Sequence, residues 1–386
     1  MTSCKAVGII AEYDPFHNGH ERQIRMAKEQ TGAKYAVAII SCSFSQRGSL
    51  HTFSNHDRAK MALCGGADIV LGLPFSFGTA QANRFALGGV YALSQFKAID
   101  RLCFGVEEEL LPYFDKSIKA MQSSVYAECV KQKVSQGDSA AKAQGLALAK
   151  ALNIKNSDIL NAPNFILGLC YIQALNDINS SIQPLAIPRP GSYSASQDPK
   201  APSASVLRHK MLSGDWQHAA LALPGTSLNI AKQAFLKGNY ALPKTLDTFI
   251  LAKILLQNSA SLSNIPEISE GLENRFLKAA RNSGSVKELI EQVKTKRYTY
   301  SRLLRALAHI AVGTKKDELS KLPQFIRLLG FKKSSEELFK SFSKNLKIIS
   351  NPTDGLPKED LYADILWHLA SKQHAAKIYT EPIVII

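Results

Sequence analysis

Acidic residues are scarce in this chain relative to basic ones. Asp and Glu number 32 against 47 Lys and Arg, which gives a formal net charge of +15 at pH 7. This imbalance favours a polyanionic partner, and nucleic acid is the usual one. A basic enzyme that binds no nucleic acid would have the same composition, so charge alone does not decide between the two.

Cysteine pairs and long apolar runs are also missing. The six cysteines are scattered without a C-x-x-C pair, which argues against a structural zinc site and favours reduced thiols. No apolar stretch approaches the roughly 20 residues of a transmembrane helix. The N-terminus has no signal-peptide layout. We therefore expect a soluble cytoplasmic protein without a membrane partner; its length of 386 residues suggests two domains.

The first half of the chain alternates strand-like and helix-like segments. Short apolar runs predict buried strands at 6–11, 34–41, 68–73, 101–105 and 182–187. Such alternation predicts a Rossmann-like parallel sheet over residues 1–212, whose strand-end loops share one edge. Beyond residue 212 strand-like runs nearly vanish. We therefore predict an all-helical second domain over 213–386.

Two histidines mark the junction between the first strand and the first helix. His17 and His20 follow a buried run, and Gly19 between them allows a phosphate to approach the backbone N–H groups. The N-terminus of a helix also favours anions. This arrangement predicts a nucleotide site. A metal-binding pair is a weaker interpretation, because no Cys, Asp or Glu cluster at ligand spacing completes such a site. A third interpretation is that both are ordinary loop histidines.

Other segments carry cations in positions that suit phosphate. Arg47 stands on a turn beside Gly48, and Ser205 and Arg208 lie in the first turns of a predicted helix. The simpler interpretations are that Arg47 is a solvated surface residue and that the segment with Ser205 and Arg208 is a plain helix N-cap with a surface arginine. In the second half, an acid-free run with interleaved tyrosines predicts contacts with phosphates and unpaired bases. Its candidate nucleic-acid-binding residues are Lys294, Lys296, Arg297, Tyr298, Arg302 and Arg305.

The string GIIAEYDPFHNGH at 8–20 resembles the opening of the tRNA(Met) cytidine acetate ligase family. Its HNGH part is similar to the His-x-Gly-His signature of the nucleotidyltransferase superfamily. Further segments resemble family signatures: QRG at 46–48, RAKMAL at 58–63, CFG at 103–105, APNFILG at 162–168, SASVLR at 203–208, EGLENR at 270–275, the basic run at 294–305 and FIRLLGF at 325–331. The resemblance thus extends from the first strand to at least residue 331.

This resemblance implies a two-step reaction on tRNA(Met). ATP and acetate would form acetyl-adenylate, and the N4 amine of the wobble cytidine would then take the acetyl group. Mg²⁺ is expected with ATP, without a dedicated protein metal site. The implied catalytic residues are His17, His20 and Arg47. The implied ATP-binding residues are Ile10, Ala11, Glu12, Tyr13, Asp14, Pro15, Phe16, His17, Asn18, Gly19, His20, Gly105, Asn164, Arg189, Ser205 and Arg208.

The chain departs from the family pattern at several positions. They are Cys42, Ser43, Asn55, Gly72, Val106 and Ser194. Asn55 replaces an expected lysine, so we expect slower adenylation, which Asn55→Lys should raise. Two other function classes stay open. One is a small-molecule adenylyltransferase, which the basic second half disfavours, and the other is a tRNA-binding protein with an impaired catalytic site.

Overall fold

The computed structural model describes residues 5–138, 140–154, 162–189, 202–295 and 297–386. The strands are β1 (Ala6–Ala11), β2 (Tyr35–Ser41), β3 (Ile69–Leu73), β4 (Ile99–Glu107), β5 (Gln183–Arg189), β6 (Phe325–Phe331), β7 (Lys347–Ile349) and β8 (Val384–Ile385). They form one sheet in the order β5-β4-β1-β2-β3-β6-β7, with β8 paired to β6. The five N-terminal strands are parallel to one another, as predicted.

Seventeen α-helices lie in the described ranges. They are α1 (Asn18–Thr31), α2 (Asn55–Cys64), α3 (Phe75–Gly78), α4 (Ala82–Ser94), α5 (Leu111–Met121), α6 (Ser124–Ser135), α7 (Ala140–Ala151), α8 (Pro163–Asp177), α9 (Ala204–Leu212), α10 (Trp216–Ala222), α11 (Gly225–Leu236), α12 (Asp247–Leu255), α13 (Ser259–Ser263), α14 (Leu272–Ala280), α15 (Val286–Val293), α16 (Tyr300–Val312) and α17 (Lys358–Ala370). None of them combines the length and apolarity that crossing a bilayer requires.

The prediction of an all-helical second half is wrong in one respect. Strand β6 pairs antiparallel with β3, and β7 and β8 each pair with β6. The chain therefore returns after α16 to extend the N-terminal sheet. Between residue 213 and α16 the structure is helical, as expected.

Three hydrophobic clusters hold these layers together. One fills the face of the sheet covered by α4 and α8, and a second fills the opposite face under α1 and α2. The third joins helices α12, α14, α15, α16 and α17. It also includes Phe44 and Leu50 from the loop after β2, and Phe75 at the start of α3. The helical part thus packs directly on the strand-end loops, where the sequence predicts the site.

Candidate functional site

His17 and His20 form a stacked pair at the N-terminus of α1. His17 is the N-cap residue, and its Nδ1 accepts a hydrogen bond from the backbone N–H of Gly19 at 3.1 Å. The backbone N–H of His17 donates to Nδ1 of His20 at 3.2 Å, and the ring centroids lie 3.7 Å apart. Because each Nδ1 is an acceptor, each neutral ring carries its proton on Nε2. The pair therefore offers two N–H donors beside a helix N-terminus, which suits a phosphate.

Both imidazoles are neutral near pH 7. Burial, reinforced by the positive charge of Arg189, lowers the pKa of His17 to about 3. Burial, His17 and Arg189 together hold the pKa of His20 well below its usual value. A polyphosphate beside the rings would offset these effects and favour proton uptake. Binding of a negatively charged ligand would therefore raise the pKa values of both histidines.

Aromatic side chains from the same loop surround this pair. Tyr13 meets His20 edge to face at 4.8 Å between ring centroids, and Phe16 lies 5.6 Å from it. Both aromatic residues are almost completely buried. Tyr13 and Phe16 thus orient the imidazole from behind, and we expect their backbone, more than their rings, to face a nucleotide. Ile10 and Ala11 end β1 just before this loop, and Asn18 donates to the carbonyl of Leu221 at 3.2 Å.

Asp14 fixes the loop that leads to the histidines. Its carboxylate accepts from the backbone N–H groups of Thr52 and Phe53 at 2.9 and 3.0 Å, and His51 Nδ1 lies 3.2 Å away. Arg208 Nη1 donates to the carbonyl of Asp14 at 2.5 Å. Although burial alone would raise the pKa of Asp14, His51 and Arg208 outweigh it and lower that pKa. Asp14 therefore has its hydrogen-bonding capacity filled by the protein.

Glu107, Asn164 and Arg189 form a chain of contacts across the same edge of the sheet. Glu107 is buried at the end of β4 and accepts from Asn164 Nδ2 at 2.7 Å and from the backbone N–H of Phe165 at 3.0 Å. Asn164 Oδ1 accepts from Arg189 Nη1 at 3.2 Å. Glu107 has no site role among the sequence-based predictions. The signal that could have identified it is a carboxylate at a strand end, two residues after Gly105.

The loop after β2 is bound to the end of β1 through a buried arginine. Arg58 has no exposed surface, and its guanidinium donates to the carbonyls of Glu12, Ser41 and Cys42 at 2.7, 2.9 and 2.6 Å. The side chain of Glu12 accepts from the backbone N–H of Gln46 at 2.8 Å. Arg58 and Glu12 thus fix the loops that follow β1 and β2 relative to each other.

Arg47 is exposed at the tip of this second loop. It has no ion pair to any other residue that the structure describes, so its charge is available to a ligand. Gly48 next to it has φ +91°, and a Cβ there would lie 2.4 Å from the backbone nitrogen of Arg305. The turn that presents Arg47 is thus packed against the backbone of α16.

Ser205 and Arg208 lie on α9, as the sequence predicts. Ser203 is the N-cap residue of that helix, and its side chain accepts from the backbone N–H of Val206. Arg208 reaches the 12–20 loop through its hydrogen bond to Asp14. The second predicted anion site therefore adjoins the first. Ser194 falls outside the described residues.

Four of the departures from the family pattern lie in or beside one polar cluster. Asp364 on α17 accepts from Ser43 Oγ at 2.5 Å and from Asn55 Nδ2 at 3.0 Å, and it pairs with Arg327. Cys42 and Gly72 touch beside this cluster, because a Cβ on Gly72 would lie 2.5 Å from Cys42 Sγ. A larger side chain at 72 would therefore require the Cys42 side chain to move. The fifth departure, Val106, is fully buried in β4.

The expected role of position 55 needs correction. Asn55 Oδ1 accepts from Arg58 Nη2 at 2.8 Å, while its amide nitrogen donates to Asp364. The side chain thus bridges two charged groups of the polar cluster instead of standing in for a cation that faces phosphate. The predicted gain in rate from Asn55→Lys has no support in this arrangement.

The basic run around the start of α16 is less available than its sequence suggests. Tyr298 is 4% exposed, and its hydroxyl donates to the carbonyl of Glu270 at 2.7 Å. The prediction that it stacks on bases is therefore not met here, because its ring is enclosed. Arg305 is also buried and pairs with Glu267. Lys294 and Arg297 are exposed, and Lys296 lies outside the described residues.

Metal ligands do not cluster in the described part of the chain. No group of three or more His, Cys, Asp or Glu side chains there could hold an ion. Asp14, a carboxylate within the 12–20 loop, already accepts hydrogen bonds from Thr52 and Phe53. A divalent cation would consequently depend on the phosphates of a nucleotide for most of its ligands.

Comparison with known proteins gives a consistent result. Residues 4–382 match the family model described as HIGH Nucleotidyl Transferase. The chain is 34% identical over 384 residues to the tRNA(Met) cytidine acetate ligase of Thermoanaerobacter sp. (strain X514), covering 95% of both chains. It is 33% identical to that of Caldanaerobacter subterraneus subsp. tengcongensis, covering 96% of both. The crystal structure of Thermotoga maritima TmcAL bound with alpha-thio ATP matches with a TM-score of 0.88 and 28% identity, over 99% of each chain.

Proposed function

The chain belongs to the HIGH nucleotidyl transferase family and, within it, to the tRNA(Met) cytidine acetate ligases, and we propose that it acetylates a tRNA cytidine with acetate and ATP. The observation that carries the proposal is the His17–His20 pair, with both Nε2–H donors at a helix N-terminus. Arg189 and Arg208 approach the same edge of the sheet. Such a site suits a triphosphate better than a neutral ligand.

In the first step, a carboxylate oxygen of acetate attacks the α-phosphorus of ATP. The bond from that phosphorus to the bridging oxygen breaks, which releases pyrophosphate and leaves acetyl-adenylate. His17 and His20 donate hydrogen bonds to phosphate oxygens, and Arg47 and Arg189 balance the charge. Asn164, held by Glu107, keeps Arg189 in place. No covalent intermediate on the protein is required.

In the second step, the N4 amine of the wobble cytidine of elongator tRNA(Met) attacks the acetyl carbonyl carbon. The bond from that carbon to the adenylate oxygen breaks, AMP leaves, and the attacking nitrogen releases one proton to water. Mg²⁺ would accompany ATP and would take most of its ligands from phosphate and water, since Asp14 is already occupied by hydrogen bonds. It would supply positive charge that neutralises the phosphates.

We assign the two steps to two parts of the chain. Residues 1–212 bind ATP and acetate, and residues 213–386 bind tRNA, with β6 to β8 as a structural return to the sheet. Lys294 and Arg297 are the exposed cations of the predicted run and are the first candidates for phosphate contacts. Because the substrate is a tRNA, we infer a cytoplasmic location.

Mass spectrometry of nucleosides tests this function. Unmodified elongator tRNA(Met) is incubated with the protein, ATP and isotopically labelled acetate, then digested. We expect labelled N4-acetylcytidine at the wobble position, together with AMP and pyrophosphate. Pyrophosphate release without tRNA acetylation would instead support a small-molecule adenylyltransferase. Binding of tRNA with neither product would support the impaired tRNA-binding protein.

A further inference from the structure

A single acidic loop holds three arginines of the predicted tRNA-binding run. This acidic loop, residues 267–271, immediately precedes α14. Arg297 Nη2 lies 2.6 Å from Glu270 Oε1, and Arg302 Nη1 lies 4.0 Å from Glu270 Oε2. Arg305 Nη2 donates to Glu267 Oε2 at 3.1 Å. The run is acid-free in sequence, but the fold supplies it with counter-ions.

The backbone of the acidic loop is fixed in an unusual conformation. Glu267 and Glu270 have φ values of 69° and 62°, a left-handed region that costs non-glycine residues energy. Hydrogen bonds offset that cost: Arg302 Nε donates to the carbonyl of Glu267 at 3.1 Å, and the Tyr298 hydroxyl donates to that of Glu270. The loop is therefore held against α16 by its main chain, independently of the Glu270 carboxylate.

The two acidic side chains differ in access to solvent. Glu267 and Arg305 are 8% and 10% exposed, and Glu267 also accepts from Gln81 Nε2. Glu270 and Arg297 are 43% and 56% exposed. A buried pair cannot exchange its partner without leaving a charge uncompensated. An exposed pair is weak, and a phosphate with bidentate geometry can replace its carboxylate.

We propose that Glu270 is an exchangeable counter-ion, which an RNA phosphate displaces from Arg297. The inference rests on the proposed tRNA-binding function of this surface and adds a cost that each binding event must overcome. In the free protein, the carboxylate masks a cation that would otherwise attract any polyanion. Only a ligand that places a phosphate at this point recovers it. The acidic loop thereby favours a fitted RNA over non-specific polyanions.

The test is a tRNA titration with Glu270→Gln at several salt concentrations, using an unmodified tRNA(Met) transcript. We expect about twofold to fivefold tighter binding than wild type, as removal of an exposed ion pair permits. The slope of log K against log salt should become steeper by up to about one. In the wild type, the displaced Glu270 carboxylate takes up a salt cation, which partly cancels the release of cations from the RNA; the Gln variant has no such uptake. Glu291→Gln, which removes an exposed carboxylate on α15, is the matched control for net charge.

A double-mutant cycle with Arg297→Gln separates the masking of Arg297 by Glu270 from a general repulsion between Glu270 and the RNA. The gain from Glu270→Gln should fall by half or more when Arg297 is absent. An equal gain in both backgrounds, or no gain beyond that of Glu291→Gln, would overturn the inference. If Glu270→Gln does not fold, Glu270→Asp replaces it, because Asp tolerates positive φ and its shorter side chain loosens the pair. Unchanged or weaker binding by Glu270→Asp would also overturn it.

The failure of this inference is distinguishable from that of the proposed function. If neutralising Lys294 and Arg297 together leaves tRNA affinity unchanged, the tRNA surface lies elsewhere and the proposed assignment fails. If that double variant loses affinity while Glu270→Gln gains none, only the exchange of Glu270 is refuted.

Discussion

At the scale of single residues, His17 and His20 owe their chemistry to two backbone hydrogen bonds. Each ring accepts from a main-chain N–H, so each must present Nε2–H. The sequence predicts that both histidines share a strand–helix junction, because the apolar run and the helix are readable locally. It cannot predict their tautomers or lowered pKa values, which depend on burial and on Arg189, far along the chain.

We expect His17→Asn combined with His20→Ala to lower the rate of acetyl-adenylate formation by about 10²- to 10³-fold, since donors to developing charge are lost. Asn at position 17 keeps a good N-cap, so α1 should remain folded. Acetate-dependent pyrophosphate release measures the rate, and calorimetry measures ATP affinity. His218→Ala, which changes an exposed histidine on α10, is the control. An unchanged rate and affinity in the double variant would refute the assignment.

At the scale of elements, local sequence predicts β1 to β5 of the sheet but misses β6, β7 and β8. The strands β1 to β5 coincide with apolar runs, and β1, β2 and β3 are almost completely buried. Strand β6 pairs with β3 across a long separation in sequence, and helical segments precede it. The basic run shows the same limitation. It contains no acidic residue itself, but the acidic loop supplies Glu267 and Glu270 from an earlier segment.

We expect Lys294→Gln combined with Arg297→Gln to weaken tRNA binding and to flatten its salt dependence. Each phosphate contact that is lost should reduce the slope of log K against log salt by about 0.7 to 0.9. Filter binding at several salt concentrations gives both quantities. Lys116→Gln with Lys119→Gln removes the same charge from exposed positions on α5 and is the control. An equal loss in both double variants would indicate only a net-charge effect.

At the scale of the whole molecule, the helical part and the sheet share loops as well as strands. Trp367 on α17 donates to the carbonyl of His51 at 2.8 Å, and His309 on α16 contacts the carbonyl of Thr79 at 3.0 Å. Gly48 lies against the backbone of α16, one residue from Arg47. The proposed tRNA-binding part thus positions the proposed ATP site. No local pattern in the sequence indicates this dependence, because every contact joins distant segments.

Gly48→Ala tests whether this docking matters for catalysis. The new Cβ would meet the Arg305 backbone at 2.4 Å, and helix backbone cannot yield as a flexible side chain can. Gly32→Ala is the matched control, because Gly32 also has positive φ, at 68°, but has nothing within 4 Å of the new Cβ. Chemical denaturation should show a loss of about 1–2 kcal/mol for Gly32→Ala from backbone strain alone.

For Gly48→Ala we expect a further loss of about 1–3 kcal/mol from overpacking. Its acetate-dependent pyrophosphate release should also fall, by up to about 10²-fold, because the displaced turn carries Arg47 and pulls on the contact between Gln46 and Glu12. Gly32→Ala should keep the wild-type rate. If both variants lose the same stability and retain full activity, the turn does not depend on α16, and the two parts of the chain act independently in the first step.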